Sequence, residues 1–215
     1  MQNEEQKIFE GKLFCPAASE LCAMKVRSHN LSQQYNRLRE DETEARRALI
    51  MDMLAEFGEG SFLQGPVFFH YGKHTRIGKR NFFNYSTTVQ DDAPVTIGND
   101  NNFGTGFTVV TPIHPLLPGE RRFMQTASGD KKHLCYAKPV VIGNDCWFGA
   151  NVTVCPGVTI GDGCVIGAGS VVTHNVPPMS LAAGVPCRVI RPITEADSML
   201  NKPEILADNR PLPED

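Results

Sequence analysis

The sequence lacks several features that would place it in a common functional class. Among its 215 residues, no apolar run reaches the roughly 20 residues that a membrane-spanning helix needs. The N-terminus MQNEEQKIFE is too acidic and polar for a secretory signal peptide. The formal net charge of -3 provides no basic field that would attract nucleic acid or a membrane surface. We therefore expect a cytoplasmic protein of one or two domains that binds neither nucleic acid nor membrane.

The cysteine pattern excludes two further classes. The seven cysteines are an odd number, and none forms a CxxC pair. A zinc finger or a framework of disulfides is therefore disfavoured, and reduced, packed cysteines are expected.

The N-terminal part, residues 1–60, has the pattern of a helical cap. A capping box of the form D-x-x-E is predicted at Asp41 to Glu44. A helical apolar stripe follows and reaches Phe57, so Gly58 is expected to end the helix. A weaker helix is predicted over Ser19 to Val26.

Beyond this cap the periodicity changes to six residues. Aliphatic or aromatic residues recur without a break in the second half of the chain, at Ile142, Phe148, Val154, Ile160, Ile166 and Val172. A first block repeats less cleanly and slips by two residues between Val95 and Ile97. Glycine and asparagine recur too often for long straight strands, but they suit short strands separated by tight turns.

Hexapeptide repeats of this kind stack as a parallel β-helix. Three hexads complete one coil, so residues eighteen apart should lie above each other, about 4.8 Å apart. Ile142 would then lie under Ile160, and Cys146 under Cys164. A β-sandwich with glycine-rich turns is the alternative, and six unbroken hexads disfavour it.

Two segments fall outside the repeat. Residues 111–138, from TPIHP to CYAK, are polar and rich in proline and glycine, and a loop of this length is usually functional or disordered. The tail, residues 194–215, is predicted to be disordered or loosely packed. The β-helix domain is therefore assigned to residues 61–193.

Together, the repeats, the TPIHP loop, the ending AAGVPCRVIR and the stretch GKLFCPAASELCAMKVRSHNLSQQYN resemble the hexapeptide-repeat acyltransferases. Within that family the sequence is most similar to the galactoside and maltose O-acetyltransferases. The resemblance implies an all-β, left-handed parallel β-helix with a helical cap, a homotrimer, and acetyl-CoA as the donor. It also implies transfer of an acetyl group to a sugar hydroxyl, with no metal.

His114 is the candidate catalytic base, since a neutral imidazole can take a proton from an alcohol near pH 7. The resemblance places His70, Asn84 and Asp92 near the acceptor hydroxyls, although asparagine and aspartate also cap β-helix turns. It places Ala150 and Ala168 along the pantetheine arm of CoA, and the N–H of Ala150 is a candidate donor to the oxyanion. The remaining residues of the predicted CoA site are Trp147, Thr173, His174, Arg188 and Arg191.

The sequence departs from the family in three places. The stretch Phe14-Cys15-Pro16 lacks the acidic residue that the resembled enzymes use on the sugar. The loop after His114 is about ten residues longer and carries the charges of ERR and DKK. His174 replaces a lysine, which weakens a phosphate contact near neutral pH.

Three alternatives stay open at this point. The acceptor could be the hydroxyl of an antibiotic or another xenobiotic. A zinc-dependent carbonic anhydrase would need three converging histidines, and only His70 and His74 are near each other in sequence. A solenoid without activity could serve assembly alone.

Overall fold

The chain folds into a parallel β-helix, a solenoid in which each coil runs through three short strands. The computed structural model describes residues 3–211. Strands on the same side of successive coils pair in parallel and form three sheets. The first sheet contains Glu56–Phe57, Thr75–Ile77, Val95–Ile97, Val140–Ile142 and Thr159–Ile160. The second contains Phe62–Leu63, Phe82–Phe83, Asn102–Phe103, Trp147–Phe148, Val165–Ile166, Ser180–Gly184 and Cys187–Pro192. The third contains Val67–Phe69, Thr87–Gln90, Thr108–Val110, Thr153–Val154 and Val171–Val172.

In the second half of the chain the coils contain eighteen residues, except the last one, in which Val165 pairs with Leu181 sixteen residues on. Ile142 pairs with Ile160 in the first sheet, and the pairing around Cys146 places it one coil below Cys164. The prediction of stacking at eighteen residues is confirmed for these coils.

The coils of the first half contain twenty residues, because Ile77 pairs with Ile97. The extra residues lie where the third sheet passes into the first, a position that we call the third corner. From Phe69 to Ile77 the chain takes eight residues between inward-facing positions instead of six. The two-residue slip in the sequence is therefore a wider third corner in the early coils.

The inward-facing residues form continuous columns along the solenoid axis. In the second sheet Phe103 stacks between Phe83 and Phe148, with ring centroids 4.2 and 4.8 Å away, and Phe107 closes the column from the side at 4.5 Å. These four rings are at most 1% exposed. Aromatic rings pack favourably at such distances, and their burial is the main source of stability here.

Polar side chains connect one coil to the next at a turn. The Oδ1 of Asn144 accepts from the backbone N–H and the side-chain amide of Asn99 at 2.9 and 3.0 Å. The Oδ1 of Asp162 accepts from the corresponding donors of Asn144 at 2.7 and 3.1 Å. Each rung of this ladder satisfies backbone donors that a tight turn leaves without a strand partner.

Three helices cap the solenoid: α1 (Glu4–Phe9), α2 (Ser19–Arg37) and α3 (Thr43–Met53). Helix α2 lies along the third sheet, since Ser28 Oγ donates to Phe69 O at 2.9 Å and the amide of Asn36 bonds both N and O of Val67. This contact explains why α2 continues well past Val26, where the sequence analysis ended it.

The predicted boundaries of α3 are wrong. The helix starts after Glu42 without a side-chain cap, so no capping box forms at Asp41 to Glu44. It ends at Met53, and Phe57 belongs instead to the first strand of the solenoid. Gly58 lies where a Cβ atom would come within 2.3 Å of Gly78 O, so close contact between coils requires this glycine. The apolar stripe thus continues across a change of secondary structure.

The long loop also leaves from the third corner, and it has secondary structure of its own. At its base Pro112–Ile113 pairs antiparallel with Tyr136–Ala137. Helix α4 (Pro118–Arg122) follows, and then a hairpin in which Met124–Gln125 pairs with Lys131–Lys132.

The C-terminal end is closed by Cys187–Pro192, which runs antiparallel to Ser180–Gly184. The tail then forms short turns with largely exposed side chains, at Glu195–Asp197, Met199–Asn201 and α5 (Pro203–Leu206). Residues 212–215 of the predicted disordered tail lie outside the described residues. Among residues 3–211, no helix has both the length and the apolar character to cross a bilayer.

Replacing Phe103 by Ala should lower the free energy of unfolding by about 3–5 kcal/mol, because it opens a cavity inside the aromatic column. The control Val141→Ala removes an outward-facing, exposed side chain and should change the free energy of unfolding by about 0.5 kcal/mol or less. Urea denaturation measures both values. Equal losses would show that the aromatic column does not dominate the stability of the core.

Candidate active site

The predicted site residues lie at two different corners of the solenoid. Asn84, Ala150 and Ala168 lie where the second sheet passes into the third, which we call the second corner. His114 and Asp92 lie at the third corner. The strands of the third sheet separate the two sets within one chain.

The coils approach each other very closely at the second corner. A Cβ atom on Gly104 would lie 2.7 Å from Ala150 N, and one on Gly149 would lie 2.6 Å from Ala168 N. Gly169 N donates to Ala150 O at 2.8 Å, which fixes the stacking of the two alanines. The result is a narrow strip of small side chains parallel to the axis.

Two backbone donors are free along this strip. Within residues 3–211, the N–H groups of Ala150 and Ala168 donate to no protein acceptor. Ala150 is half-buried and Ala168 is exposed. Asn84 lies at the same corner two coils earlier, where its Oδ1 accepts from Tyr85 N at 2.8 Å, so its amide NH₂ is available.

Trp147 lies beside this strip on the outer surface of the second sheet, between Asn102 and Val165. It is 59% exposed. Tryptophan side chains usually bury most of their large apolar surface, and this one does not. The ring is therefore accessible to a ligand or to another chain.

At the third corner, Asp91 and His74 are fully occupied by internal hydrogen bonds. Asp91 accepts from Tyr71 N at 2.7 Å and from Thr75 Oγ1 at 2.8 Å. His74 Nδ1 lies 3.0 and 2.8 Å from the carbonyl oxygens of Asp91 and Asp92, so this nitrogen must be the donor. His74 Nε2 lies 3.1 Å from Glu5 Oε1 on α1. These residues attach the cap to the solenoid.

Asp92, in contrast, is buried with one carboxylate oxygen unpaired. Within residues 3–211 its Oδ2 has no hydrogen-bond partner, and the same is true of the buried hydroxyl of Tyr71. Burial and then the charge of Asp91 raise the pKa of Asp92 to about 6. A buried acceptor without a partner costs stability, so its presence is typical of a site that receives a ligand.

His114 follows directly after the first pair of the loop base and is exposed. Its ring centroid lies 5.3 Å from that of His133, on the returning side of the loop. The loop starts from a fixed point, because Thr111 Oγ1 donates to Gln90 O and accepts from Ala93 N. The imidazole is thus held at the edge of the solenoid with access to solvent.

His70 lines an open cavity of about 340 Å³ between α2 and the third sheet, together with His29, Phe68 and Gln90. The ring centroids of His70 and His29 are 5.6 Å apart. Burial, then the neighbouring His29, lowers the pKa of His70 to about 4. At neutral pH this imidazole is uncharged and can both donate and accept a hydrogen bond.

The structure brings together three of the four residues predicted for the far end of the CoA site: Thr173, His174 and Arg188. His174 and Arg188 line one cavity of about 450 Å³ near the C-terminal end of the solenoid. Thr173 Oγ1 lies 2.8 Å from His174 Nδ1. Arg191 instead pairs with Asp197 through two contacts of 2.6 and 2.7 Å, so it is less available than predicted.

Cys135 and the histidines have no features of a thiol nucleophile or a zinc site. Burial, and then the charge of Asp92, raises the pKa of Cys135 to about 12, so its thiol stays protonated. Within residues 3–211, no three His, Cys, Asp or Glu side chains converge as metal ligands. Both ring nitrogens of His74 are already engaged by the protein.

Sequence reasoning missed three residues near this site: Tyr71, Arg121 and His133. Arg121 and His133 lie in the loop, where the repeat gives no register. The adjacent aspartates Asp91 and Asp92 look equivalent in sequence, and only the structure distinguishes the satisfied carboxylate from the unpaired one.

Replacing Asp92 by Asn should stabilise the protein at high pH only. In the unfolded chain the carboxyl group of Asp92 loses its proton near pH 4, whereas in the folded chain it keeps the proton until about pH 6. Stability is therefore lost as the pH rises through this window. The variant avoids that loss, so at pH 8 it should be more stable by up to about 3 kcal/mol, and at pH 4 by nearly nothing.

Thermal unfolding of the wild type and Asp92→Asn at pH 4.5 and pH 8 checks this expectation. The exposed carboxylate of Asp145 offers a control, Asp145→Asn. A stability difference that does not change with pH would contradict the assignment of a buried, unpaired carboxylate.

Comparison with known proteins gives matches along most of the chain. Residues 139–174 match the hexapeptide repeat of succinyl-transferase, and residues 7–58 match the maltose acetyltransferase hexapeptide capping motif. The chain is 39% identical to the galactoside O-acetyltransferase of Escherichia coli over 192 residues, which cover 89% of this chain and 90% of that protein. It is 33% identical to the galactoside O-acetyltransferase of Lactococcus lactis, over 89% of each chain.

Solved structures agree with these matches. A galactoside acetyltransferase in complex with coenzyme A superposes with a TM-score of 0.83 at 38% identity, over 92% of this chain and 94% of that one. A maltose O-acetyltransferase from Clostridium difficile gives 0.82 at 32% identity, over 90% and 99% of the two chains. The chain is therefore an acyltransferase and belongs to the hexapeptide-repeat acetyltransferases, in the group of the galactoside and maltose O-acetyltransferases.

Proposed function

We propose that this acyltransferase transfers the acetyl group of acetyl-CoA to a hydroxyl of a sugar, with His114 as the general base. One observation carries the proposal: an exposed imidazole at one corner complements a strip of free N–H groups at another. The relatives named galactoside O-acetyltransferase support the acceptor class, and the relative bound to coenzyme A supports the donor.

The second corner fits an extended thioester. Small side chains at Ala150 and Ala168 allow a ligand to approach the backbone, and the two free N–H groups suit the amide carbonyls of a pantetheine arm. The cavity at His174 and Arg188 offers a guanidinium, which pairs readily with phosphate oxygens. We assign the pantetheine arm of the donor to the second corner, with Trp147 flanking it, and the phosphates of the donor to this cavity.

The chemistry needs one proton transfer and one stabilised oxyanion. His114 takes the proton of the acceptor hydroxyl as its oxygen attacks the thioester carbonyl carbon. The negative charge moves to the carbonyl oxygen, where the N–H of Ala150 donates to it. When the tetrahedral intermediate collapses, the C–S bond breaks and the leaving sulfur receives the proton from His114. Because the thiol of Cys135 stays protonated, we propose direct transfer without an acetylated cysteine.

Since the two corners are separate within one chain, we propose that the site forms between chains in a homotrimer. His114 of one copy would face the second corner of the next. The triangular cross-section presents outward-facing apolar side chains on its sheets, including Phe68 and Phe82. A second copy can bury them, which drives association.

The acceptor would be held by neutral and polar groups around these corners. Asn84 offers an amide NH₂, Asp92 an unpaired carboxylate oxygen and His70 an uncharged imidazole. Sugar hydroxyls both donate and accept, so this set matches a sugar ring. The stretch Phe14-Cys15-Pro16 contains no carboxylate. The nearby carboxylate of Glu4 accepts a hydrogen bond from Cys15 N.

Replacing His114 by Ala should reduce acetyl transfer by about 10² to 10⁴-fold, because the acceptor hydroxyl then loses its base. Thiol release from acetyl-CoA on a panel of sugars measures the rate, and the thermal unfolding midpoint should not change. Gln125→Ala, an exposed position in the same loop, is the control and should keep full activity. Unchanged turnover in His114→Ala would exclude this residue as the base.

A mixing experiment tests whether the site is shared between chains. His114→Ala and Ala150→Tyr, which fills the second corner, should each be inactive alone. After subunit exchange, some interfaces combine an intact His114 with an intact Ala150, so activity should return to a fraction of the wild-type rate. Light scattering should give about three times the 23.7 kDa mass of one chain. A monomeric enzyme with full activity would refute the shared site.

A further inference from the structure

The loop that carries His114 has a net positive charge, although the chain as a whole is acidic. Residues 115–134 contain four Arg or Lys and two Asp or Glu, whereas the whole chain has a net charge of -3. The four basic residues are Arg121, Arg122, Lys131 and Lys132. Basic side chains gathered on one segment attract anions at short range.

These cations have no carboxylate partner in the part of the chain that the structure describes. Within residues 3–211, none of the four lies within 4 Å of a carboxylate. Arginines outside the loop commonly have such a partner, as Arg80 does with Asp100 and Arg191 with Asp197. The two acids of the loop do not neutralise it, and Asp130 accepts from Ser128 Oγ instead.

Arg121 folds back toward the candidate base. Its NH1 donates to Pro115 O at 3.4 Å and to Leu116 O at 3.2 Å, and these residues directly follow His114. Its Nε and NH2 groups have no partner among the described residues. The guanidinium is therefore fixed by one nitrogen and leaves the others free to bind a planar or tetrahedral anion.

His133 connects the hairpin to the same place. Its ring lies 5.3 Å from that of His114, and its Nδ1 lies 3.4 Å from Arg122 O. The hairpin pairs Gln125 with Lys131 and Met124 with Lys132, so both lysines extend from the strand that leads into His133. Lys131 and Lys132 are neighbours on a strand, so their side chains face opposite sides of it, and the charge of Lys132 acts on Glu20 of α2. Arg121, Lys131 and the candidate base thus belong to the same loop.

The phosphates of the donor already have a candidate partner elsewhere in the fold. The Arg188 and His174 cavity lies at the C-terminal end of the solenoid, whereas the loop leaves the third corner before the coils that carry Ala150 and Ala168. The acceptor must approach His114 for its proton to be removed, so a charge beside His114 acts on the acceptor.

We propose that Arg121, assisted by the lysines of the hairpin, forms an anion subsite beside His114, so that the preferred acceptor is a hydroxyl compound bearing a phosphate, sulfate or carboxylate group. This inference rests on the proposed function and specifies its substrate class. The negative group binds at Arg121 while a hydroxyl on the same molecule reaches His114, and the anion itself takes no part in the transfer.

The test compares acceptors that differ mainly in charge. Galactose 1-phosphate and galacturonate each carry an anion, and methyl galactoside is the neutral reference. The wild type should show a kcat/KM at least about tenfold higher for an anionic acceptor, since hydrogen bonds to charged groups contribute that much. Preference for the phosphate over the carboxylate, or the reverse, identifies the group. Raising the salt concentration should reduce the preference by screening.

Two variants and a matched control locate the effect. In Arg121→Gln and in the double variant Lys131→Gln/Lys132→Gln, the ratio of kcat/KM for the anionic over the neutral acceptor should fall to about one. Arg76→Gln, at an exposed arginine on the first sheet that pairs with Glu56, should retain the preference. Equal kcat/KM for charged and neutral acceptors in the wild type would overturn the inference. A rise in KM for acetyl-CoA rather than for the acceptor would also overturn it, by assigning the cations to the donor.

The outcome can be separated from that of the proposed function. If the wild type transfers acetyl groups without any charge preference, the function stands and the subsite fails. If no acceptor is turned over, calorimetric binding of galactose 1-phosphate against methyl galactoside decides the question. Tighter binding of the phosphate that Arg121→Gln abolishes supports the subsite, and equal binding refutes it.

Discussion

The registered stacking of one coil on the next is the constraint on which the rest of this structure depends. Each inward-facing residue must lie above its counterpart, as Phe103 does between Phe83 and Phe148. The same register aligns the Asn99, Asn144 and Asp162 ladder, in which each side chain satisfies the turn of the neighbouring coil. A residue added within a strand would displace both the apolar column and these polar contacts, so additions are confined to places where no register is needed.

The third corner is the place where the chain contains such additional residues. It holds the two-residue extensions of the early coils and the whole excursion from Thr111 to Lys138. Groups that would destabilise a solenoid interior are tolerated there, including the unpaired carboxylate of Asp92 and the exposed ring of His114. The second corner has the opposite character, since its coils are in close contact and a Cβ atom on Gly104 or Gly149 would clash with the backbone of the next coil. One corner therefore supplies variable side chains, and the other supplies a fixed backbone.

The sequence predicts the stacking of the solenoid better than the ends of the helices in the cap. The six-residue period is a direct consequence of inward-facing residues in register, so stacking of Ile142 on Ile160 could be derived from spacing alone. The end of helix α3 was harder to predict from the sequence, because Phe57 continues the apolar stripe of the helix but belongs to a strand. The decision depends on its pairing with Ile77, a contact that is distant in sequence.

The site could be proposed from the sequence where a residue belongs to a repeat or to a motif, as for Ala150, Ala168 and His114, whose roles stay predictions. It was not predictable where long-range packing decides. Asp91 and Asp92 are adjacent acids, and only the approach of Tyr71 and Thr75 satisfies the first and leaves an oxygen of the second unpaired. The pairing of Arg191 with Asp197 likewise depends on how the tail packs, and its predicted role at the phosphates stays a prediction.

The ladder through Asn99 and Asn144 joins residues 45 positions apart in the chain, yet its geometry matches that of Asn144 and Asp162, which are eighteen apart. The contacts between coils are therefore the same whether eighteen or 45 residues separate the two side chains. The segment between them leaves these contacts unaltered, so its length and charge can change while the stacking of the coils is preserved.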